Sequence, residues 1–250
     1  MSVVLHLMPL ADYEAAGELI HPASLDTEGF VHCTGDEDTL LAVANHLYRD
    51  AEGQFVVLEI DTAASSSPVV YEEAAPAPPP GVDPSVRFPH LYGPIERSAV
   101  VGLSHARRAL DGGFLDIEMR PAFATELGLL PHPEGGWYRR SWTSEHALDT
   151  SGGERVAATA ILYLLADGRQ SRWHRVSSDE LWFWHGPGEL DLETGEDGRV
   201  TRLAGRGGAT TPQALVRAGT WQRAIAHGEV LVSCVVCPGF DFTDFEMLDE

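Results

Sequence analysis

The chain contains no lysine: its 17 basic residues are all arginine, set against 38 acidic ones. That absence excludes Schiff-base chemistry, a pyridoxal phosphate anchor and a phosphate loop ending in Gly-Lys-Ser/Thr. The formal net charge of -21 is spread along both halves and repels phosphate backbones, which argues against a nucleic-acid partner. A small ligand held by a local arginine stays compatible with it. Cysteine is scarce as well. Cys33, Cys234 and Cys237 are too few and too unevenly placed for a secreted disulfide framework. Cys234 and Cys237 form a C-x-x-C, but inside the apolar run VLVSCVVC and with no second pair, so buried strand cysteines are expected rather than a redox or zinc site. No run of 18 apolar residues occurs, and the opening MSVVLHLMPLADYE has neither a basic stretch nor a small-residue cleavage site. The expectation is a cytoplasmic protein without a membrane partner.

What the chain does have is enough apolar residue, 44% of 250, for one large or two ordinary cores. AAPAPPPGVDPS at 74–85 has no hydrophobic period and reads as a surface excursion. ALDGGFLDIEMRP at 109–121 is the better boundary, because SAVVGLSHARRAL before it reads as a strand returning to the first domain. The expected domains are 1–110 and 119–250. In the first, VVLHLM and QFVVLEID read as strands and ADYEAAGELI as a helix. DEDTLLAVANHLYR reads as a second helix, with Leu40, Val43, Ala44 and Leu47 on one face and acids in its first turn. This is an α+β domain. After a helix around AFATELGLL, the second domain runs through short strands divided by Gly, Pro and Asp turns, the pattern of a sandwich or barrel.

One stretch stands out chemically. SRWHRVSSDELWFWHG at 171–186 holds two histidines, two acidic residues and three tryptophans in sixteen positions. Polar heads at that density are costly in a plain core unless each has a partner. If 177–179 form a three-residue hairpin turn, Val176 lies opposite Glu180 and His174 opposite Trp182. His174, Val176, Glu180, Trp182 and Trp184 then share one face, a wall suited to a planar or sugar-like ligand, and His185 points the other way.

HPEGGWYRRSW at 132–142, the stretch just described, RAGTWQRA at 217–224 and VSCVVCPGFDFTDFE at 232–246 resemble the small bacterial cupins of the cupin-5 family, domain of unknown function 985, related in fold to dTDP-sugar epimerases. The resemblance implies a double-stranded β-helix barrel that pairs into homodimers. Laid on this chain from Gly168, the cupin metal pattern puts His174 and Glu180 at ligand positions. It puts Val176 where a second histidine belongs, Gln222 at the histidine of the second motif, and Arg217 where proline is usual. Two readings follow: a divalent metal on His174, Glu180 and Gln222, or a metal-free pocket in which His174 and Glu180 form an acid/base or hydrogen-bonding pair. A satisfied buried polar pair is the plain alternative. Among Arg139, Arg140, Arg172 and Arg175, any that faces inward clamps a carboxylate or phosphate with its planar fork, Arg139 being the candidate ligand contact. Phe240 and Asp241 are expected to shape the barrel edge.

In the first half, LHL at 5–7, GFVHCT at 29–34 and FPHLYGPI at 88–95 place one histidine each in an apolar setting. With LEID at 58–61 these blocks resemble the bacterial domain of unknown function 952, proposed to share the ADP-ribosyltransferase fold with its split sheet and NAD cleft. The resemblance implies His6 on the ribose, His32 with Thr34 on the nicotinamide side, and His90 and Tyr92 approaching from the third element. Glu59 is only a candidate for the activating glutamate, and without it nucleotide binding survives where transfer does not.

Together these features imply a two-domain protein that binds or processes NAD-derived, nucleotide or sugar-phosphate-like small molecules. Two alternatives stand beside it: a non-catalytic metabolite sensor, and a metal-dependent cupin isomerase or oxygenase, the latter weakened by Val176 and Gln222.

Overall fold

The computed structural model describes residues 2–75, 77–150, 153–195, 197–205, 207 and 210–248. The chain divides into two compact units, Met1–Arg120 and Pro121–Glu250.

The first unit is built on an antiparallel sheet. It contains β1 (Val3–Pro9), α1 (Leu10–Ala15), β2 (Leu19–Ile20), α2 (Ala23–Thr27), β3 (Val31–His32), α3 (Glu37–Leu47) and β4 (Phe55–Asp61), followed by β5 (Val69–Glu73), β6 (Arg87–Leu91), β7 (Ile95–Glu96), β8 (Val100–Arg108) and β9 (Phe114–Met119). The main sheet has the order β1-β4-β8-β9, a three-stranded sheet has the order β3-β6-β5, and β2 pairs with β7. β1 alternates, burying Val4, His6 and Met8 on one face and leaving Leu5 and Leu7 half-buried on the other, where Leu7 packs against the cluster of Ala44 and Phe55. The continuous apolar run of β4 is buried on both faces, as a central strand requires. In α3, Asp36 caps the N-terminus by accepting from the Thr39 N–H at 2.8 Å, with Glu37 and Asp38 in the first turn and Leu40 and Ala44 buried. The helix expected over ADYEAAGELI stops at Ala15: Ala16 is already extended, and the chain runs past Gly17 into β2. Pairing with β7 outweighs the helical period there. β9 pairs with β8, so residues 114–119 belong to the first unit and not to the gap expected after residue 110.

The second unit contains α4 (Ala122–Glu126), β10 (Leu130–Pro131), β11 (Trp137–Thr143), β12 (Ala147–Thr150), β13 (Gly153–Val156), β14 (Thr159–Leu165) and β15 (His174–Val176), then β16 (Asp179–Thr194), β17 (Arg199–Leu203), β18 (Gln213–Val216), β19 (Gln222–Cys237) and β20 (Phe245–Met247). One sheet path runs β10-β11-β14-β19-β15-β20, and β16 pairs with β17, β18 and β19. β16 and β19 are sixteen residues each, where short separate strands are expected from the sequence. The Gly and Pro residues that suggest breaks are absorbed as register shifts at 184–186 and 187–189 of β16, and as a positive φ of 82° at Gly228 in β19. The core gathers around Tyr163, Trp182, Leu190, Leu192, Val230 and Val232.

The expected hairpin across 177–179 does not form. β15 pairs with β20, Val176 opposite Phe245, and His174 lies opposite Gln222 of β19. β16 leaves to pair with β18 and β19, Glu180 opposite Val216 and Val236. The turn residues bond elsewhere. The Ser177 N–H donates to Asp244 O, Gly219 N–H to Val176 O, and Asp179 accepts from Ala218 N–H and Arg217. Inward alternation survives the change of partner: His174, Val176, Glu180 and Trp182 are all buried.

Candidate functional site

The pocket of the second unit starts from a glycine turn. In the HPEGG segment, Gly136 has φ 65°, and a Cβ there would meet Leu164 O at 2.7 Å. Only glycine lets this turn lie against β14. Tyr163 pins it by donating its hydroxyl to Gly135 O at 3.0 Å, and Arg172 N–H donates to Glu134 O at 2.6 Å. The turn thereby delivers two buried polar side chains, His132 and Glu134, to the barrel interior.

Alternation on the strands supplies the other walls. Tyr138 and Arg140, two apart on β11, face the same side, joined by Thr159 and Ile161 of β14, Glu180 of β16, Cys234 and Val236 of β19, and Phe240 beyond it. Between them lies a small cavity of about 30 Å³, room for about two waters, which opens to solvent. Two carboxylates face this space, and each is held from behind by a different residue.

Glu180 is the first. Its Oε2 accepts from Gln222 Nε2 at 2.5 Å, and Gln222 Oε1 accepts from Trp182 Nε1 at 3.0 Å. An indole N–H only donates, so Trp182 fixes which end of the Gln222 amide meets the carboxylate. Burial pushes the Glu180 carboxyl above the usual range, with nearby Glu134 acting the same way; His174, the Gln222 amide and the Cys234 thiol oppose the rise. The same burial, with Glu180 and Glu134 adding to it, puts the Cys234 thiol well above its ordinary value.

Glu134 is the second. His174 Nε2 stands 3.4 Å from its Oε2, and His132 Nδ1 is also at 3.4 Å. His174 Nδ1 is 2.9 Å from Arg172 O, so that ring nitrogen carries the hydrogen and Nε2 keeps its lone pair. Burial holds the His174 pKa below its usual value against the raising effects of Glu180 and the Arg172 carbonyl. The His174–Glu134 contact is therefore an ion pair only when the imidazole takes up a proton, which burial opposes.

These positions redistribute the expected site. Glu180 lines the cavity, while His174 stands behind Glu134 and Gln222 stands behind Glu180. Trp182 is buried in the core, and Trp184 donates to Gly188 O at 2.6 Å. Neither indole is a cavity wall. Arg139 is exposed and donates to Leu127 O at 3.0 Å, so strand alternation gives the inward place to Arg140. Phe240 lines the cavity and is more than barrel edge. A divalent metal on His174, Glu180 and Gln222 does not fit, because both ends of the Gln222 amide are already bonded. Among the described residues no group of three His, Cys, Asp or Glu side chains is arranged to hold a metal. Cys234 and Cys237, three apart on a strand, face opposite ways, Cys234 inward and Cys237 exposed, which rules out pairing between them.

No local sequence pattern marks His132, Glu134 or Cys234 as cavity residues. The first two look like turn residues before a double glycine, and only strand register places Cys234 beside Glu180.

In the first unit, His32 and His90 are cross-strand partners on β3 and β6, their rings 5.3 Å apart. Phe30 stacks on His90 at 4.1 Å. Glu72 on β5 accepts from Tyr92 and contacts His90 Nδ1, both at 2.8 Å, and these bonds hold its carboxyl below the usual range. His6 lies beneath, its Nδ1 2.8 Å from His32 O and its Nε2 buried without a partner; burial holds its pKa down at about 4. Thr34 turns aside to donate to Asp36 O, and Glu59 lies against Gly102 on the main sheet. The structure thus brings together His32, His90 and Tyr92, adds Phe30 and Glu72, and leaves Thr34 and Glu59 outside the group.

Comparison with known proteins places these units. A solved structure from Shewanella oneidensis is 36% identical with a TM-score of 0.46, covering 51% of this chain and 82% of its own. A hypothetical protein from Leishmania major is 32% identical with a TM-score of 0.45, covering 50% and 85%. An uncharacterised Klebsiella pneumoniae protein with a double-stranded β-helix domain is 17% identical with a TM-score of 0.37, covering 53% and 100%. No curated protein matches the chain. No helix among the described residues is long and apolar enough to cross a membrane. The family described as "Protein of unknown function (DUF952)" matches residues 7–103. Residues 122–248 match the family described as "Cupin superfamily (DUF985)", in accord with the β-rich second unit and its curled sheet, and the chain belongs to that cupin family.

Proposed function

We propose that the cupin unit binds a small metabolite in the cavity of Glu134 and Glu180 and moves a proton on it, as an isomerase or epimerase does. One observation carries this reading: two buried carboxylates face one cavity, and each is poised by a separate partner. Glu180, with its raised pKa, is the proton donor. Glu134, with His174 behind it, accepts one from the ligand as the ionised carboxylate, and the two exchange roles in the reverse direction. His174 and Gln222 are positioning residues. Metal-dependent oxygenase chemistry loses its support with the committed Gln222 amide.

The first unit is read as a binder of NAD-derived or nucleotide-like ligands, supported by the Phe30–His90 stack beside Tyr92 and by the unsatisfied Nε2 of His6. ADP-ribosyl transfer is not part of this reading, since Glu59 lies outside the group. A cytoplasmic homodimer formed through the cupin unit is the proposed setting.

The test is a thermal-shift screen of the full chain against NAD, ADP-ribose and nucleotide sugars, followed by product analysis of each hit. Glu180→Gln is expected to keep ligand-induced stabilisation in large part and to lower turnover by 10²- to 10⁴-fold, the range for loss of a general acid. Saturable binding without turnover in the parent would convert the reading to a metabolite sensor. Equal turnover in parent and Glu180→Gln would end it.

A further inference from the structure

Resting on the reading of this cavity as a metabolite site, we propose that its ligand carries a carboxylate or phosphate, and that Arg140 is the residue that receives this anionic group. Arg140 lines the cavity from β11, its guanidinium carbon 5.9 Å from the centre of the Phe240 ring. Its guanidinium makes no hydrogen bond or ion pair with any described residue.

That isolation is unusual in this chain. With 38 acidic residues against 17 arginines, a carboxylate is rarely far from any arginine. Arg155 pairs with Asp244, Arg175 with Glu246, Arg202 with Asp191, Arg217 with Asp179 and Arg223 with Glu193, each at 2.6–2.8 Å. Arg139, its neighbour, bonds a backbone carbonyl. Arg140 lines the cavity half-buried, with the Phe240 ring beside its guanidinium and no carboxylate or carbonyl bonded to it. Burial pulls its pKa down, and Tyr138 and Asp241 only partly restore it from a distance. A guanidinium removed from water and left unpaired is unfavourable, and a planar oxyanion that accepts two parallel N–H bonds relieves it.

The chemistry of the remaining walls agrees. An ionised Glu134, the proton acceptor, would repel an anion placed against it, so Arg140 sets the ligand's direction: anionic end on Arg140, reacting carbon toward the carboxyl groups. One fixed anchor, one proton donor and one proton acceptor give a single productive orientation.

The experiment is a thermal-shift titration of the full chain with four probes: ribose, ribose 5-phosphate, inorganic phosphate and malonate. Sodium chloride at matched ionic strength is the reference for screening of the acidic surface. In the parent, an oxyanion probe is expected to raise Tm saturably beyond chloride. A response to the phosphates alone names a phosphate ligand, and a response to malonate alone a carboxylate. Arg140→Gln is expected to weaken that binding about ten- to a hundredfold, the loss of one charge-assisted bidentate pair. Arg140→Lys, which keeps the charge and guards against a folding defect, is expected to retain part of the phosphate response and lose most of the malonate response. Shifts no larger than chloride, or shifts that survive in Arg140→Gln, would overturn the proposal. If ribose matches ribose 5-phosphate, the anion inference fails while the cavity reading stands, since the latter is decided by the Glu180→Gln turnover.

Discussion

At the scale of single residues, the sequence made the chemistry legible but not its arrangement. His174, Glu180 and Gln222 could be picked out because a histidine, a glutamate and a glutamine in strand-like apolar surroundings need partners. Which of them face the cavity depended on register, and register depends on partners far along the chain. His132 and Glu134 were hidden because their role comes from a turn docking on β14, a contact that no local pattern encodes. The buried histidines of the first unit carry a pH prediction. His6, almost wholly buried, has its pKa lowered to about 4 from 6.5, and burial lowers His105 to about 4 as well. Below pH 6.5 the unfolded chain takes up these protons and the folded chain does not. Stability is therefore lost as pH falls from 6.5 to 4 and is unaffected above that window, by up to about 3 kcal/mol for His6. Urea unfolding between pH 7 and 4 should show the acid-side slope of His6→Leu reduced by about one proton; an unchanged slope would place the imidazole in contact with water.

At the scale of elements, α3, β1, β4 and β8 follow their hydrophobic periods closely. The failures share one cause. Where a short segment has a choice between its own period and an available strand edge, the edge prevails, as in the conversion of ELI into β2 and the fusion of shorter strands into β16 and β19. Glycines read as breaks were bends within continuous strands. Others are indispensable, and two of them make a controlled comparison. Gly136 and Gly168 have nearly the same φ, 65° and 69°, yet a Cβ at Gly168 meets nothing within 4 Å. Gly168→Ala should cost about 1 kcal/mol for the left-handed backbone alone. Gly136→Ala carries that cost plus a backbone clash and should cost about 2–4 kcal/mol, with loss of the cavity's Glu134 wall. Chemical denaturation of both variants checks the difference; equal losses would mean that the HPEGG turn yields without strain.

At the scale of the whole molecule, both domain resemblances were readable, because each rests on several blocks in order and not on one motif. The boundary was read less well, since β9 follows a Gly-Gly turn that resembles a linker but is the tip of the β8–β9 hairpin. The charge of -21 makes a further prediction. Raising sodium chloride from about 0.01 to 0.15 M shortens the screening length from about 30 to 8 Å. It weakens exposed ion pairs worth at most about 1 kcal/mol each, and relieves repulsion among many more unpaired carboxylates. The second effect is larger, so Tm should rise with salt at pH 7; a fall would mean that the exposed ion pairs outweigh the repulsion.

The opposed cysteines of β19 offer a practical opening. With Cys33 and Cys234 sealed inside, Cys237 is the thiol that a maleimide fluorophore will reach. A dye attached there sits on the outer skin of the very strand whose inner skin borders Glu180. Emission from that unmodified sequence position would report filling of the cavity without any engineered label site.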